Sequence, residues 1–504
     1  MSGTDANTST VDYSDIQGLV RFGYNALSEA CFLLLNIRDA GTARAWLRTA
    51  PVSSAVELPR PPETALQLAF TREGLQALGI TSDVLAGFSA EFLSGMAGQE
   101  SRSRRLGDVG TNSPQYWQWG AAGKVPHMIA LVYARPGQLE GWKQTIQGPQ
   151  WNSAFEVLDC LPTSNLFGVE PFGFNDGVSQ PTPDWGRLRK PKGDQLNYSN
   201  LVSLGEFLLG YENEYGKYTG RPLLNDQAPA SSVLPVAAHA PNKRDLGRNG
   251  TYLVFRQLRQ DVRGFWRFLD SQTGSDAQAR KHLAESMVGR GMNGDPLLPT
   301  VASPIAGISS KSVAQNQFTY DSDSDGIRCP FGAHIRRANP RNADLPSGST
   351  GWIARLLHTL GFANPKFRDD AIASSRFHRL LRRGREYGPG LSSDQAIADG
   401  PDTGEHGIQF ICLVANILRQ FEFVQNAWVM NTKFDAMTEE SDPLLGNREA
   451  IPGCPVTNTF SVPQESGVRT RIAAVPQFVT VRGGAYFFMP SLSALRYLSA
   501  IEPR

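Results

Sequence analysis

Phe32-Leu-Leu-Leu-Asn-Ile-Arg-Asp-Ala-Gly-Thr-Ala-Arg-Ala-Trp-Leu47 reads as a short apolar strand, a turn, and an amphipathic helix that carries a tryptophan. Tyr252-Leu-Val-Phe-Arg-Gln-Leu-Arg-Gln-Asp-Val-Arg-Gly-Phe-Trp-Arg-Phe-Leu269 repeats that plan in the second half of the chain. Another unit also recurs. His127-Met-Ile-Ala-Leu-Val-Tyr133 leads into Leu139-Glu-Gly-Trp-Lys143, and Gly407-Ile-Gln-Phe-Ile-Cys-Leu-Val414 leads into Phe421-Glu-Phe-Val-Gln-Asn-Ala-Trp428. Each half therefore holds two strand-then-helix units separated by long insertions. Duplication of a β-α-β unit is the simplest source of such an echo, and it predicts an α+β fold built from two like domains. The Ala-, Pro- and Ser-bearing stretch from Asn225 to Asn249 is expected to link them. A boundary near residue 245 gives domains 1–245 and 246–504.

The chain has 504 residues, with 49 Lys and Arg against 48 Asp and Glu, a net charge of +1. That balance offers nothing to a polyanion, so no nucleic-acid partner is expected. The longest apolar runs, Cys31 to Ile37 and Ile408 to Ala415, fall far short of the roughly 20 residues of a membrane helix and read as buried strands. No membrane partner is expected. Met1 to Thr10 lacks the basic and apolar regions of a secretory signal. Five cysteines (Cys31, Cys160, Cys329, Cys412 and Cys454) show neither pairing nor metal-ligand spacing. An odd, sparse set of thiols points to a reduced, cytoplasmic protein; a monomer or homodimer is expected.

Three motifs fail on context. Asp321-Ser-Asp-Ser-Asp-Gly326 matches the first half of a calcium loop, but the position that needs a bidentate Glu is Gly332. An acidic, solvated turn is expected there. Gly289-Arg-Gly-Met-Asn-Gly294 has dinucleotide-loop spacing, yet a helical pattern (Ala277 to Val288) precedes it and Asp295-Pro296 follows. C-x-x-C-H is absent, so a haem, if carried, is not c-type; G-x-S-x-G and H-E-x-x-H are absent too.

Three segments carry chemistry. Cys329-Pro-Phe-Gly-Ala-His-Ile-Arg-Arg-Ala-Asn-Pro-Arg341 sets one of seven histidines, His334, in a short helical turn with Arg336, Arg337 and Arg341 behind it. Haem needs a neutral imidazole for iron and cations for two propionates, and this segment offers both; a surface His among arginines is the plain alternative. Gly173-Phe-Asn-Asp-Gly177 is a turn whose flanking Phe172 and Phe174 suggest a loop lying against something apolar, where the Asp176 carboxyl can act. Leu380-Leu-Arg-Arg-Gly-Arg-Glu-Tyr-Gly-Pro389 reads as an apolar helix end that delivers Arg382 and Arg383 just before Gly384.

These segments resemble the dye-decolorizing peroxidases. Gly173-Phe-Asn-Asp-Gly177 is similar to that family's GxxDG signature. Cys329 to His334 with Asn339-Pro-Arg341 resembles its proximal-histidine segment, and Leu381-Arg-Arg-Gly384 with Tyr387-Gly-Pro389 its distal-arginine segment. Asp15-Ile-Gln-Gly18 and Gly289-Arg-Gly291 also resemble family features, and the length resembles the larger fungal and bacterial branch.

The resemblance implies two ferredoxin-like domains, in agreement with the internal echo. It implies non-covalent haem b (iron protoporphyrin IX) in the C-terminal domain, capped by the Asp176 loop. His334 becomes the proximal iron ligand, Arg341 a cofactor-binding cation, and Ile408 and Phe410, alternating on one strand, the dry distal lining; core packing accounts for that pair equally. Asp176 becomes the distal acid–base group, and Arg382 the cation that stabilises O–O cleavage, with Arg383 as runner-up. An Asp base favours acid conditions unless burial raises its pKa. Trp428 and Tyr387 are candidate surface radical sites for dyes too large to reach a haem edge, with ordinary packing the plain alternative. His334 is expected to donate its other ring nitrogen to an acceptor such as Asn416, and a neutral partner leaves the imidazole less basic. The expected partners are hydrogen peroxide and small aromatic reductants. A haem-binding or haem-iron-handling protein without peroxidase turnover is the competing expectation.

Overall fold

The computed structural model describes residues 10–189, 199–298, 315–341, 375–401, 404–449 and 457–501. Cys454, His358 and the first nine residues lie outside them. In the first half, β1 (Glu29–Ile37) runs into α1 (Ala40–Thr49), whose open N-terminus is capped by Asp39 Oδ1 accepting the Thr42 N–H at 2.7 Å. Such a cap contributes about 1 kcal/mol. Then follow β2 (Thr64–Phe70), β3 (Met128–Ala134), α2 (Leu139–Gln147) and β4 (Phe155–Pro162). The second half opens the same way. β5 (Thr251–Gln260) runs into α3 (Val262–Gln272), capped by Asp261 Oδ1 on the Gly264 N–H at 2.9 Å. After α4 (Ala277–Val288) and α5 (His334–Ala338) come the short strands β6 (Leu381–Arg382) and β7 (Arg385–Tyr387), then β8 (His406–Val414), β9 (Val479–Met489) and α6 (Leu492–Ala500). The Leu380–Pro389 segment is therefore extended rather than a helix end.

Strand order shows the duplication directly. The first half pairs β2-β3-β1-β4 and the second β6-β8-β5-β9, with β7 also on β8; every pair is antiparallel. Numbered within its own half, each is the 4-1-3-2 order of a ferredoxin-like unit. The halves join where Phe488 of β9 pairs with Phe70 of β2, making one nine-stranded sheet. Just past β4, the Ser164 N–H donates to the Glu386 carbonyl of β7 at 2.8 Å, so the sheet curls until its far ends touch.

Alternation along the strands gives the curled sheet two faces. Phe32, Leu131, Phe255, Ile411 and Phe487 point inward into one core shared by both halves, where Phe32 and Phe255 meet edge to face. Leu33, Leu35, Leu66 and Leu68 point outward and are covered by Trp46, Leu47 and Trp151 of the first-half helices. The matching outer face of the second half, carrying Leu258, Ile408, Phe410, Val479 and Val481, borders a cavity instead.

The stretch between Asn225 and Asn249 is ordered rather than a bare linker. Leu223–Asn225, Val236–Ala237 and Ala240–Asp245 form a small sheet, anchored by a buried Arg221–Asp245 ion pair at 2.6 Å. Among the described residues, no helix is long and apolar enough to cross a membrane.

Candidate active site

The cavity has a volume of about 300 Å³. The outer faces of β5, β8 and β9 make one wall, with Leu258, Ile408, Phe410, Val479 and Val481; the Glu170–Pro181 loop makes another. α5 and the segment 418–429 complete it. That segment is wound as π-helix over Leu418–Glu422 and Val424–Val429, and sends Phe421, Val424, Gln425, Trp428 and Val429 to the cavity. Widened turns of this kind recur at functional sites. Ile408 and Phe410 both line the space, while Gln409 between them is fully buried on the other face.

His334 heads α5 and lines the cavity. Its Nδ1 lies 2.8 Å from Oδ2 of Asp442, a carboxylate with no exposed surface. The second oxygen of Asp442 accepts the N–H groups of Leu444 and Leu445, both at 2.9 Å. Burial disfavours the Asp442 anion, but His334 and those N–H groups more than offset it and hold the carboxyl below its ordinary pKa. Burial likewise disfavours a charged His334, and Asp442 outweighs it, raising the imidazole pKa. An ionised acceptor fixes the proton on Nδ1 and leaves the Nε2 lone pair as the ring's ligating position. Asn416, the expected acceptor, is engaged elsewhere. Its Oδ1 accepts the Arg419 N–H at 2.8 Å, capping the segment that follows. The partner is thus charged, so the case of a neutral partner and a less basic imidazole does not arise.

Asp176 sits on the loop opened by Gly173 (φ 101°) and closed by Gly177 (φ 75°), left-handed positions that glycine takes without strain. Glu170 shapes this loop from within. Its two carboxylate oxygens accept the N–H groups of Phe172 and Phe174, each at 3.0 Å, and Gln260 Nε2 donates to it at 2.8 Å. Burial pushes the Glu170 pKa up to about 7. The Gly289–Gly294 turn props the loop from outside, the Met292 carbonyl accepting the Asn175 N–H at 2.9 Å.

Asp176 Oδ1 accepts from Arg382 Nη1 at 2.9 Å, and both side chains stay open to the cavity, 45% and 32% accessible. Burial raises the Asp176 pKa, but the Arg382 guanidinium beside it brings the net below the ordinary carboxylate value. Gln180 holds Arg382 in place, its Oε1 accepting the Arg382 N–H at 3.1 Å and its Nε2 donating to the Arg382 carbonyl at 3.2 Å. Arg383, next along the extended chain, faces the other way and donates to the Leu19 and Val20 carbonyls.

The other expected residues fall differently. Arg341 is not on the cavity wall. Its Nη1 donates to the Asn316 and Phe318 carbonyls, and its guanidinium lies 3.8 Å from the Phe318 ring. Arg336 is bound to Asp323 at 3.0 Å, and Arg337 to the Trp428, Asn431 and Glu440 carbonyls. Asp323 is thereby structural, so the acidic turn is not simply solvated. Arg290 and Arg379 line the cavity instead. Arg290 Nη1 donates to the Gly294 and Gln315 carbonyls, while its buried Nη2 has no hydrogen-bond partner among the described residues. Trp428 is a cavity residue 5% exposed, and Tyr387, bonded to Glu405 at 2.8 Å, is 6% exposed; neither is at the surface.

A haem fits this donor set: an imidazole oriented for metal, apolar walls, and a buried cation with an unused donor for a carboxylate. Among the described residues, no cluster of three or more His, Cys, Asp or Glu side chains forms a separate metal site.

No family model matches the chain. It is 28% identical to the dye-decolorizing peroxidase msp1 of Mycetinis scorodonius over 98% of this chain and 89% of that protein. Its fold matches the crystal structure of a fungal DyP-type peroxidase from Auricularia auricula-judae with a TM-score of 0.71 and 27% identity, covering 98% of this chain and 100% of the other. A dye-decolorizing peroxidase solved with 2,6-dimethoxyphenol matches with a TM-score of 0.70 and 25% identity, over 97% and 100% of the two chains. In sequence over nearly its whole length, and in fold, the chain is similar to the dye-decolorizing peroxidases.

Proposed function

We propose that the protein is a haem-b peroxidase that reduces hydrogen peroxide at the expense of dyes and phenolic donors, with His334 as iron ligand and Asp176 and Arg382 as the distal pair. One observation carries this reading: an imidazole backed by a buried carboxylate and an Asp–Arg ion pair open to solvent line the same cavity. Likeness to peroxidases that include one solved with a phenol supports the donor class.

Non-covalently bound haem supplies the iron at which the peroxide O–O bond is cleaved. The chain supplies the rest. His334 presents Nε2, with Asp442 pulling on the Nδ1 proton and making the ring a stronger donor. Arg290 offers Nη2 to a propionate. Asp176, kept ionised by Arg382, accepts a proton at a carboxylate oxygen and returns it to the departing oxygen. The Arg382 guanidinium, held by Asp176 and the Ser179 carbonyl on a backbone pinned by Gln180, stands ready for negative charge developing beside it, with no reorganisation during reaction. Leu258, Ile408, Phe410, Val479 and Val481 keep that wall dry, which strengthens both electrostatic effects.

A pocket that only stored or released haem has no use for an ionised carboxylate clamped on an arginine. The deciding experiment is the visible spectrum of the purified, haem-supplied protein before and after one equivalent of peroxide, at about pH 4, near the unperturbed carboxylate pKa. A Soret band that changes within milliseconds and returns when a phenol is added supports the reading. A Soret band indifferent to peroxide, or none at all, overturns it.

A further inference from the structure

Off the cavity wall, two of the cysteines that looked scattered in sequence come together. Cys31 lies on β1 and Cys160 on β4, strands that pair antiparallel with Cys31 opposite Pro162 and Leu33 opposite Cys160. The two thiols are therefore diagonal neighbours on one face. The Thr163 N–H donates to the Ala30 carbonyl at 3.1 Å, so Ala30–Thr163 is a hydrogen-bonded pair. Cys31–Pro162 and Leu33–Cys160 then fall at the non-bonded positions, where side chains approach more closely. The side chains are near enough for the Cys31 thiol to turn its hydrogen towards the Cys160 sulfur.

The two sulfurs differ in environment. Cys31 is 3% exposed and sits in the core beneath the first-half helices, whereas Cys160 is exposed. The hydrogen bond from Cys31 lowers the Cys160 pKa, burial opposes it, and the Lys143 ammonium of α2 lowers it further, to about 7. The same bond, with burial, keeps Cys31 a thiol. Cys329 and Cys412 are buried with thiols pushed up by desolvation. Only a thiolate is a good nucleophile towards peroxide, so the four described cysteines fall into one reactive, one adjacent and two inert.

We propose that Cys160 and Cys31 form a peroxide-oxidisable thiol pair that closes into a cross-strand disulfide, bracing β4 against β1. The Cys160 thiolate attacks one peroxide oxygen; the S–O bond forms, the O–O bond breaks, and hydroxide leaves. The Cys31 sulfur then attacks the Cys160 sulfenic sulfur; the S–S bond forms, the S–O bond breaks, and the Cys31 proton leaves with the hydroxyl as water. Two thiols and one peroxide give one disulfide and two waters. β4 ends the sheet path and pairs along its length only with β1, so a local shift of this strand is what must bring the diagonal sulfurs to the bond length of about 2.05 Å.

The test is to treat the purified full-length protein with a small excess of hydrogen peroxide, alkylate remaining thiols, digest without reductant, and identify cysteine peptides by mass spectrometry. The expected result is a peptide pair linked through Cys31 and Cys160, appearing as the two singly alkylated peptides disappear together. In Cys31→Ser the Cys160 sulfenic acid persists and is captured by dimedone; in Cys160→Ser, Cys31 stays a thiol. The proposal is overturned if the parent protein yields Cys160 as alkylated thiol or sulfinic acid without the linked pair. It is equally overturned if Cys31 oxidises as fast in Cys160→Ser as in the parent. Because the oxidant is added and neither sulfur lines the cavity, these outcomes are independent of the haem reading.

Discussion

Asp442 reaches Nδ1 of His334 at 2.8 Å across 108 positions of sequence, and its remaining oxygen is held by the Leu444 and Leu445 N–H groups. A carboxylate so fixed cannot turn away, and it makes His334, in its proposed role as iron ligand, a strong donor. Asp442→Asn keeps the shape and removes the charge. The expected result is a protein that still binds haem but has a more positive iron reduction potential and roughly 10- to 100-fold lower peroxidase kcat/KM, the usual cost of losing such a partner. Spectroelectrochemical titration of the variant checks this; an unchanged potential would show that Asp442 only packs.

If Asp176 and Arg382 are the distal pair, they set the acid behaviour. Burial pushes the Asp176 pKa up and Arg382 more than reverses it, so the folded carboxyl is depressed and stays ionised into acid solution. Activity that needs the anion is then present above that depressed pKa and lost only as pH falls through it. In Arg382→Leu, burial is opposed only by the Gly177 N–H and by His334, and the acid limb of the kcat/KM profile moves to higher pH. In Asp176→Asn, activity drops by roughly 10² to 10⁴, the usual worth of a positioned acid–base group, while haem is retained. Superimposed acid limbs for Arg382→Leu and the parent would remove the electrostatic argument.

The repeated strand-turn-helix plan was legible because it is local: apolar runs, an Asp cap, and a helix stripe recur in both halves. His334, Asp176 and Arg382 were legible as oddities of composition, a His among arginines, an Asp between glycines, two arginines before a glycine. What could not be read was who meets whom. The arginines behind His334 looked like a cationic patch for an anion, yet helical geometry turns Arg336 onto Asp323 and Arg337 onto backbone carbonyls, and Arg341 is consumed likewise. Arg290, in the turn set aside as a failed nucleotide loop, lines the cavity instead, with an unused donor among the described residues. Asp442, in Ser441-Asp-Pro443, carries no periodic or spacing signal, and only a buried carboxyl flanked by Leu444 and Leu445 hints at a partner. Trp428 and Tyr387 were misplaced because an aromatic on an apolar helix or strand face is buried before it is anything else.

Glu170 positions the catalytic loop without belonging to the proposed proton path. Its two oxygens satisfy the Phe172 and Phe174 N–H groups on either side of Gly173. Glu170→Ala leaves both N–H groups unpaired, at about 1–3 kcal/mol each, and lets Asp176 drift. A displacement near 1 Å costs catalysis roughly 10²-fold. Haem content should persist while peroxide turnover falls and thermal unfolding shifts down. Glu170→Gln, which keeps one acceptor, should recover part of both. Full activity in Glu170→Ala would show that the glycines alone shape the loop.

Arg290 makes the last case, because it distinguishes a cation that serves the fold from one that awaits a ligand. Nη1 is spent on the Gly294 and Gln315 carbonyls, while Nη2 is buried beside the cavity. Desolvation lowers its pKa to about 10, with Arg341 adding repulsion. A guanidinium left in that state is costly, and an anionic group arriving from the cavity relieves the cost. Arg290→Met should therefore lose some stability in the unloaded protein, because the Gly294 and Gln315 carbonyls lose their donor, and weaken haem binding about 10- to 100-fold, the equivalent of one charged hydrogen bond of about 1.5–3 kcal/mol. Soret titration of the unloaded proteins measures the affinity, and thermal unfolding before and after haem measures the stability. If Arg290→Met bound haem as tightly as the parent, the carboxylate groups of the cofactor would have to be held elsewhere, with Arg379 the next cavity-lining cation to examine.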